Sequence, residues 1–311
     1  MLSAGSITYT ITPDGPAPGN CDGPTVDYII NENPAPNVTN APMQETICTG
    51  DNTNAVTLTS NVAGTTYTWT ATAMPAGVSG FQASGTNTIP VQTIINTDNV
   101  QGVVTYHIIP SGSINGCSGV PADYTVYVNP EPVATVTQSI VTLCSGTITN
   151  IPISSTVTGT TFSWTASGPG VITGFSSGSG DNISQTLTNT SNAPHDVIYV
   201  ITPSANGCTG SPITVTVTVN PPSVLTVVPA SPVSCSGSNI VINLTGNVPG
   251  INFTWTASAT GNVTGYSNGS GSTISQTLVN NDNVPRTVVY SVMMELNGCT
   301  NGPVDFIATV N

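Results

Sequence analysis

The residues of this chain whose types could do chemistry are few, and the most regular of them are cysteines. Cys48 and Cys117, Cys144 and Cys208, and Cys235 and Cys299 fall into three pairs, with Cys21 left over. The second member of each pair follows Asn-Gly, in Asn115-Gly116-Cys117, Asn206-Gly207-Cys208 and Asn297-Gly298-Cys299. The six predict three disulfides, one per domain, each joining the opening of a domain to the turn before its last strand. Closing a loop of about 65 residues stabilises by roughly 4 kcal/mol in the chain-entropy model. A metal site and buried free thiols are the competing readings. The spacing favours neither, since no pair has CxxC separation and no histidine recurs beside the cysteines. Cys21 matches the second cysteine of a pair whose first member would lie before Met1; an intermolecular bridge is the alternative.

No catalytic constellation is legible. The histidines are His107 and His195. His107 stands where the other copies have Thr10, Val200 and Ser291, on the outward face of a strand, which is not the place of a general base. His195 lies in Ala193-Pro194-His195-Asp196, read as a loop, and no other copy repeats it. Ser179, in Gly178-Ser179-Gly180, has no recurrent His and acid beside it and reads as a turn. The chain is therefore expected not to be an enzyme, and no cofactor is required. Weak calcium binding is the remaining cation chemistry, because loop carboxylates and carbonyls can hold Ca2+. Asp98, Asp181 and Asp282 are the candidates, one carboxylate per loop, and Asp98 and Asp282 precede a strand as turn residues do. Without a dense cluster of acids, no dedicated metal site is predicted. A single base, Arg286, stands against 14 acids for a net charge of −13, which excludes nucleic acid as a partner because phosphate neutralisation needs clustered Lys and Arg. The absence of lysine also rules out Lys-Asn isopeptide cross-links. No apolar run approaches bilayer length, so no membrane insertion is expected.

The elements that must position these residues are strands. Every tryptophan lies in one of three similar segments: Gly64-Thr65-Thr66-Tyr67-Thr68-Trp69-Thr70-Ala71, Gly159-Thr160-Thr161-Phe162-Ser163-Trp164-Thr165-Ala166 and Gly250-Ile251-Asn252-Phe253-Thr254-Trp255-Thr256-Ala257. An aromatic residue, the tryptophan and an alanine alternate with Thr, Ser or Asn, the period of a strand with one buried face. Trp69, Trp164 and Trp255 are thus core residues. A second strand begins at Tyr9, Tyr106, Tyr199 and Tyr290, so the chain opens inside a repeat. Closing strands end at Asn31, Asn129, Asn220 and Asn311, the last three 91 residues apart. In the second copy the strands are predicted at about 148 to 157, 160 to 166, 183 to 188, 196 to 202 and 213 to 219, with clusters such as Ser176-Ser177-Gly178-Ser179-Gly180 between them. Short alternating strands with turn signals read as an all-β, immunoglobulin-like sandwich of about seven strands per copy. The expected organisation is a truncated repeat over 1–33, then domains over 34–130, 131–221 and 222–311. Proline-rich junctions such as Asn129-Pro130-Glu131-Pro132 predict semi-rigid linkers and hence a rod.

The ordered series Cys144-Ser145-Gly146, the Trp164 strand, Ile183-Ser184-Gln185-Thr186-Leu187, Tyr199-Val200-Ile201-Thr202-Pro203 and Asn206-Gly207-Cys208-Thr209-Gly210 resembles the PKD-like repeat, over nearly the whole chain. It departs from classical PKD domains, where Asp-Phe-Gly-Asp-Gly follows the tryptophan that Thr165-Ala166 follow here. The resemblance implies giant surface adhesins of gliding and predatory bacteria, exported by type IX secretion. The expected role is an extracellular, cell-surface shaft or spacer in adhesion, gliding or prey capture, with copies of itself in a multi-chain filament and an unknown cell-surface target as partners. Ile109 and Met293, replacing threonines on the outer face of the tyrosine strand, are the candidate lateral contacts. The alternative is a carbohydrate- or protein-binding module accessory to a secreted enzyme.

Overall fold

The computed structural model describes residues 4–19, 21–112 and 116–311. The regular structure among them is β-strand throughout, arranged as tandem immunoglobulin-like sandwiches. The chain divides into two compact units. One comprises Met1–Val133 with Ser155–Thr160 and Ser204–Gly210, the other Ala134–Ser154 with Thr161–Pro203 and Ser211–Asn311.

In the first unit five strands form the main sheet, in the order Gln44–Cys48, Ala122–Asn129, Gly102–Ser111, Thr66–Met74 and Ser84–Thr86. Short pairs, Val56–Thr57 with Thr88–Ile89 and Val78–Ser79 with Ile95–Asn96, form its second layer. The period-2 pattern explains the core: Tyr67, Trp69 and Ala71 point inward while the threonines between them face solvent. They pack with Tyr106, Ile108, Val126 and Val128.

The second unit repeats this order twice. Ile140–Cys144, Ile213–Asn220, His195–Ala205, Thr161–Ser167 and Gly178–Ser179 make one main sheet; Val233–Ser234, Cys299–Val310, Arg286–Leu296, Asn252–Ala259 and Gly269–Ser270 make the other. Phe162, Trp164 and Tyr199 anchor one core, and Phe253, Trp255 and Tyr290 the next.

One topological detail decides the cysteine chemistry. The opening strand of each sandwich runs parallel to the closing strand, so that Cys48 lies opposite Asn129 and Cys144 opposite Asn220, at the far end of that strand. Each closing strand pairs antiparallel with its tyrosine strand, and Gly102–Ser111 and Arg286–Leu296 pair antiparallel with their tryptophan strands.

Four local expectations change, the first being that the strand predicted over 183 to 188 is two, Asn182–Ile183 and Thr186–Asn189. The strand predicted over 148 to 157 is two, Thr147–Ile148 and Ile151–Ser154. Buried Thr149 lies between them. Its Oγ1 donates to the Ile183 carbonyl and accepts the Gln185 amide, both at 2.8 Å, where the chain passes from one partner strand to another. His195 begins the strand His195–Ala205, opposite Val219, instead of lying in a loop. Ser179 belongs to the short edge strand Gly178–Ser179, paired with Ser163 and Trp164, because a residue without Cβ can lie against the indole.

At the start of the described chain, Gly5–Ile11 and Val26–Glu32 form an antiparallel hairpin with Tyr9 opposite Tyr28. The register matches Tyr106 opposite Tyr124. Tyr106 is fully buried whereas Tyr9 is 52% exposed.

Candidate functional site

Cystine bridges are the best-defined chemistry in the molecule, and their pairing differs from the expected one. Cys48 is bonded to Cys208 and Cys144 to Cys299, while Cys21, Cys117 and Cys235 are free. The first cysteine of one repeat is therefore joined to the second cysteine of the following repeat. This corrects the expected bridges Cys48–Cys117, Cys144–Cys208 and Cys235–Cys299.

The physical reason lies in the parallel opening strand. Cys48 stands beside the end of Ala122–Asn129, and Cys117 precedes that strand's beginning. An eight-residue strand at about 3.3 Å per residue separates them by roughly 25 Å, whereas bridged cysteines need Cα atoms within about 7 Å. The observed pairs have Cα separations of 5.7 and 5.5 Å.

Each bridge sits in a repeated polar seat. The donor is a two-residue hairpin in which Asn206 and Gly207, or Asn297 and Gly298, have positive φ values of 52° and 82°, or 52° and 79°. Glycine takes this backbone without a Cβ penalty, and asparagine is the side chain that best tolerates it. The corresponding Asn115 lies outside the described residues. The acceptor is the end of the preceding closing strand. Asn129 Nδ2 donates to the Asn206 carbonyl at 2.9 Å, and Asn297 Nδ2 donates to Asn220 Oδ1 at 3.4 Å. Asn129 and Asn220 are both buried. Behind the cysteines, the hydroxyls of Thr49 and Ser145 accept the amides of Asn96 and Asn189 at 2.7 and 2.9 Å.

Two polar features recur inside the sandwiches. Tyr106, Tyr199 and Tyr290 donate their phenol O–H to Gln92, Gln185 and Gln276 Oε1 at 3.1, 2.8 and 2.8 Å. The side chains of Asn96, Asn189 and Asn280 each donate to two carbonyls, one of them on the closing strand. The recurrence of Gln and Asn at these offsets was the sequence signal for both.

Burial pushes the three tyrosines up to about 12. An unfolded tyrosine ionises near 10, so at high pH the unfolded chain loses its proton first. Stability is expected to be intact below about pH 10 and to fall between about pH 10 and 12. Tyr199→Phe should cost about 1 kcal/mol at neutral pH and flatten part of that alkaline slope. Urea midpoints at pH 7 and pH 11 test it; an unchanged slope would count against the assignment.

The other candidates are dispersed. His107 Nδ1 lies 2.7 Å from Asp123 Oδ1 on the exposed face of the sheet. Asp98 Oδ2 accepts the Gly77 amide at 2.9 Å. Asp282 Oδ2 accepts the Asn262 amide at 3.1 Å and Arg286 Nε at 2.6 Å, and these two, the amide first, hold its carboxyl below the usual carboxylate range. The carbonyl of Asp181 accepts the Ile153 amide. Among the described residues no three His, Cys, Asp or Glu side chains group as metal ligands. Ile109 is 40% exposed and Met293 half-buried, each on the outer face of its own repeat. Trp69, Trp164 and Trp255 are buried.

The PKD-like domain profile matches three segments, residues 45–132, 141–223 and 232–311. No curated protein matches the chain. Similar solved structures include mouse protocadherin-24 EC1-3, at 13% identity and a TM-score of 0.37 over 88% of this chain and 97% of that one. Sidekick-1 immunoglobulin domains 1-5 match at 14% identity and 0.33, over 89% and 58%. Titin domains A168-A170 match at 12% and 0.32, over 89% and 97%.

Proposed function

The chain belongs to the PKD-like domain family, and from that premise we propose that it is a structural shaft or spacer segment of a giant extracellular adhesin or filament used in cell-surface adhesion, gliding or prey capture. The observation that carries this reading is the pair of disulfides between successive repeats. A bridge within a domain protects that domain alone, whereas a bridge from one domain to the next keeps neighbours attached when either unfolds. Such bridges also persist only in an oxidising compartment, which supports an extracellular location and export by a route such as type IX secretion.

The role is mechanical and non-enzymatic. An accessory carbohydrate-binding module would need an exposed aromatic platform, and the three tryptophans are instead committed to the cores. Lateral bundling with identical chains would use the outward Ile109 and Met293. Antibody labelling of intact source cells, followed by electron microscopy, tests the proposal. The expected result is label along surface fibres, and label confined to permeabilised cells would overturn it. In the same fibres, the paired variant Ile109→Ala and Met293→Ala is expected to separate bundled chains; unchanged bundles would remove these residues from the interface.

A further inference from the structure

We propose that Cys235 and Asn311 form the acceptor half of a further inter-repeat staple, whose donor is the Asn-Gly-Cys hairpin of another PKD-like repeat following in the array. The two formed staples define what an acceptor consists of. A cysteine ends the opening strand, an asparagine ends the closing strand beside it, and the backbone between them is fixed. Thr49 N donates to the Asn129 carbonyl at 2.9 Å, and Ser145 N to the Asn220 carbonyl at 3.0 Å.

The third repeat repeats this arrangement with Cys235 and Asn311 each one residue past its strand, next after the parallel pair of Ser234 with Val310. Ser236 N donates to the Asn311 carbonyl at 2.9 Å, and Asn311 N donates to the Ser234 carbonyl at 3.0 Å. Ser236 Oγ accepts the Asn280 amide at 2.9 Å, the same bond that Ser145 makes with Asn189. The difference is coverage. Asn129 and Asn220 are 4% and 2% exposed beneath the hairpins they receive, while Asn311 and Cys235 are both exposed.

The same rule accounts for the other free thiols. Cys117 follows Asn-Gly as Cys208 and Cys299 do, and is a donor whose acceptor would be the first cysteine of a preceding repeat; Cys21 occupies the same place one repeat earlier. The three unpaired cysteines are thus two donors and one acceptor, and none of them has its counterpart in an adjacent repeat of this chain. The inference concerns how repeats are joined and holds whether the array serves as a shaft or as a binding surface.

Bond formation removes one proton and one electron from each of two thiols. A disulfide oxidant takes them up; with oxidised glutathione, two molecules of reduced glutathione leave through a mixed-disulfide intermediate. The test extends the full chain by a copy of residues 221–311 after Asn311, oxidises it with glutathione, alkylates free thiols and digests with pepsin, since Arg286 is the sole tryptic site. Cys235 is expected to lose its alkylation and to appear cross-linked to the copy of Cys299. Persistent alkylation of Cys235 in the folded, extended chain would overturn the proposal. In the unextended chain, Cys144→Ser is expected to leave Cys299 as a free thiol. A bridge from Cys299 to Cys235 of its own repeat in that variant would also overturn it.

Discussion

Pulled from its two ends under non-reducing conditions, the protein is expected to release no more than about 220 Å of contour between Cys48 and Cys299, against about 850 Å after reduction. Besides the unbroken backbone, three covalent routes that use a bridge join these residues. One crosses to Cys208 and runs forward to Cys299, one runs forward to Cys144 and then crosses, and the third crosses to Cys208, runs backward to Cys144 and crosses again. The last is the shortest and becomes taut first. Load therefore enters the second repeat at its hairpin and leaves at the end of its opening strand. Those points lie at opposite ends of the parallel pair Ile140–Cys144 and Ile213–Asn220. Force along such a pair shears its hydrogen bonds together instead of unzipping them one at a time. The paired variant Cys117→Ser and Cys235→Ser removes only free thiols, and is expected to leave the 220 Å limit unchanged. Bridges within each repeat would instead let the same variant extend by about 640 Å, so single-molecule pulling separates the two pairings cleanly.

The bridges also act without force. They close loops of 160 and 155 residues, each worth about 5 kcal/mol in the chain-entropy model. Because the loops interleave, the two contributions do not simply add. Their shared effect is to make unfolding of any one repeat a constrained event in its neighbours.

How far the sequence could be read follows from the range of each interaction. The tryptophan and tyrosine strands were legible because inward and outward residues alternate along a single segment, and nothing outside the segment is needed to see it. The Asn-Gly turns were legible for the same local reason. The cysteine partners were not. Proximity of each first cysteine to its own repeat's hairpin depended on whether the opening strand runs parallel or antiparallel to the closing strand, and no local pattern in Gln44–Cys48 or Ile140–Cys144 encodes that choice. The edge strand Gly178–Ser179 was hidden differently. Its Ser-Gly composition matches a turn, and only the indole beneath Gly178 makes an extended backbone favourable there. Gln185 stood in the quoted repeat pattern, but its bond to Tyr199 requires two strands far apart in sequence to meet across the core.

That indole also carries the largest expected single-residue effect on stability. Trp164→Ala is expected to destabilise the second repeat by about 3–5 kcal/mol, the range for removing a large buried aromatic side chain. Trp164 is 7% exposed and packs with Phe162, Ile183, Leu187 and Tyr199 in one core. Packing dominates the cost. The indole N–H donates to the Ser176 carbonyl at 3.2 Å, yet that carbonyl also accepts Gln185 Nε2 at 2.8 Å and keeps a partner when the tryptophan is gone. Gly178 supplies an independent check on the same contact. A Cβ placed there would lie 2.8 Å from Trp164 Cζ2, so Gly178→Ala should cost about 1–3 kcal/mol by overpacking. In the Trp164→Phe background the ring atom that it strikes is absent, and most of that cost should vanish. Denaturant unfolding with local hydrogen exchange in residues 161–201 measures both effects. A Trp164→Ala loss below about 1 kcal/mol, or strictly additive Gly178→Ala and Trp164→Phe changes, would show that the indole and the edge strand do not hold this sandwich closed.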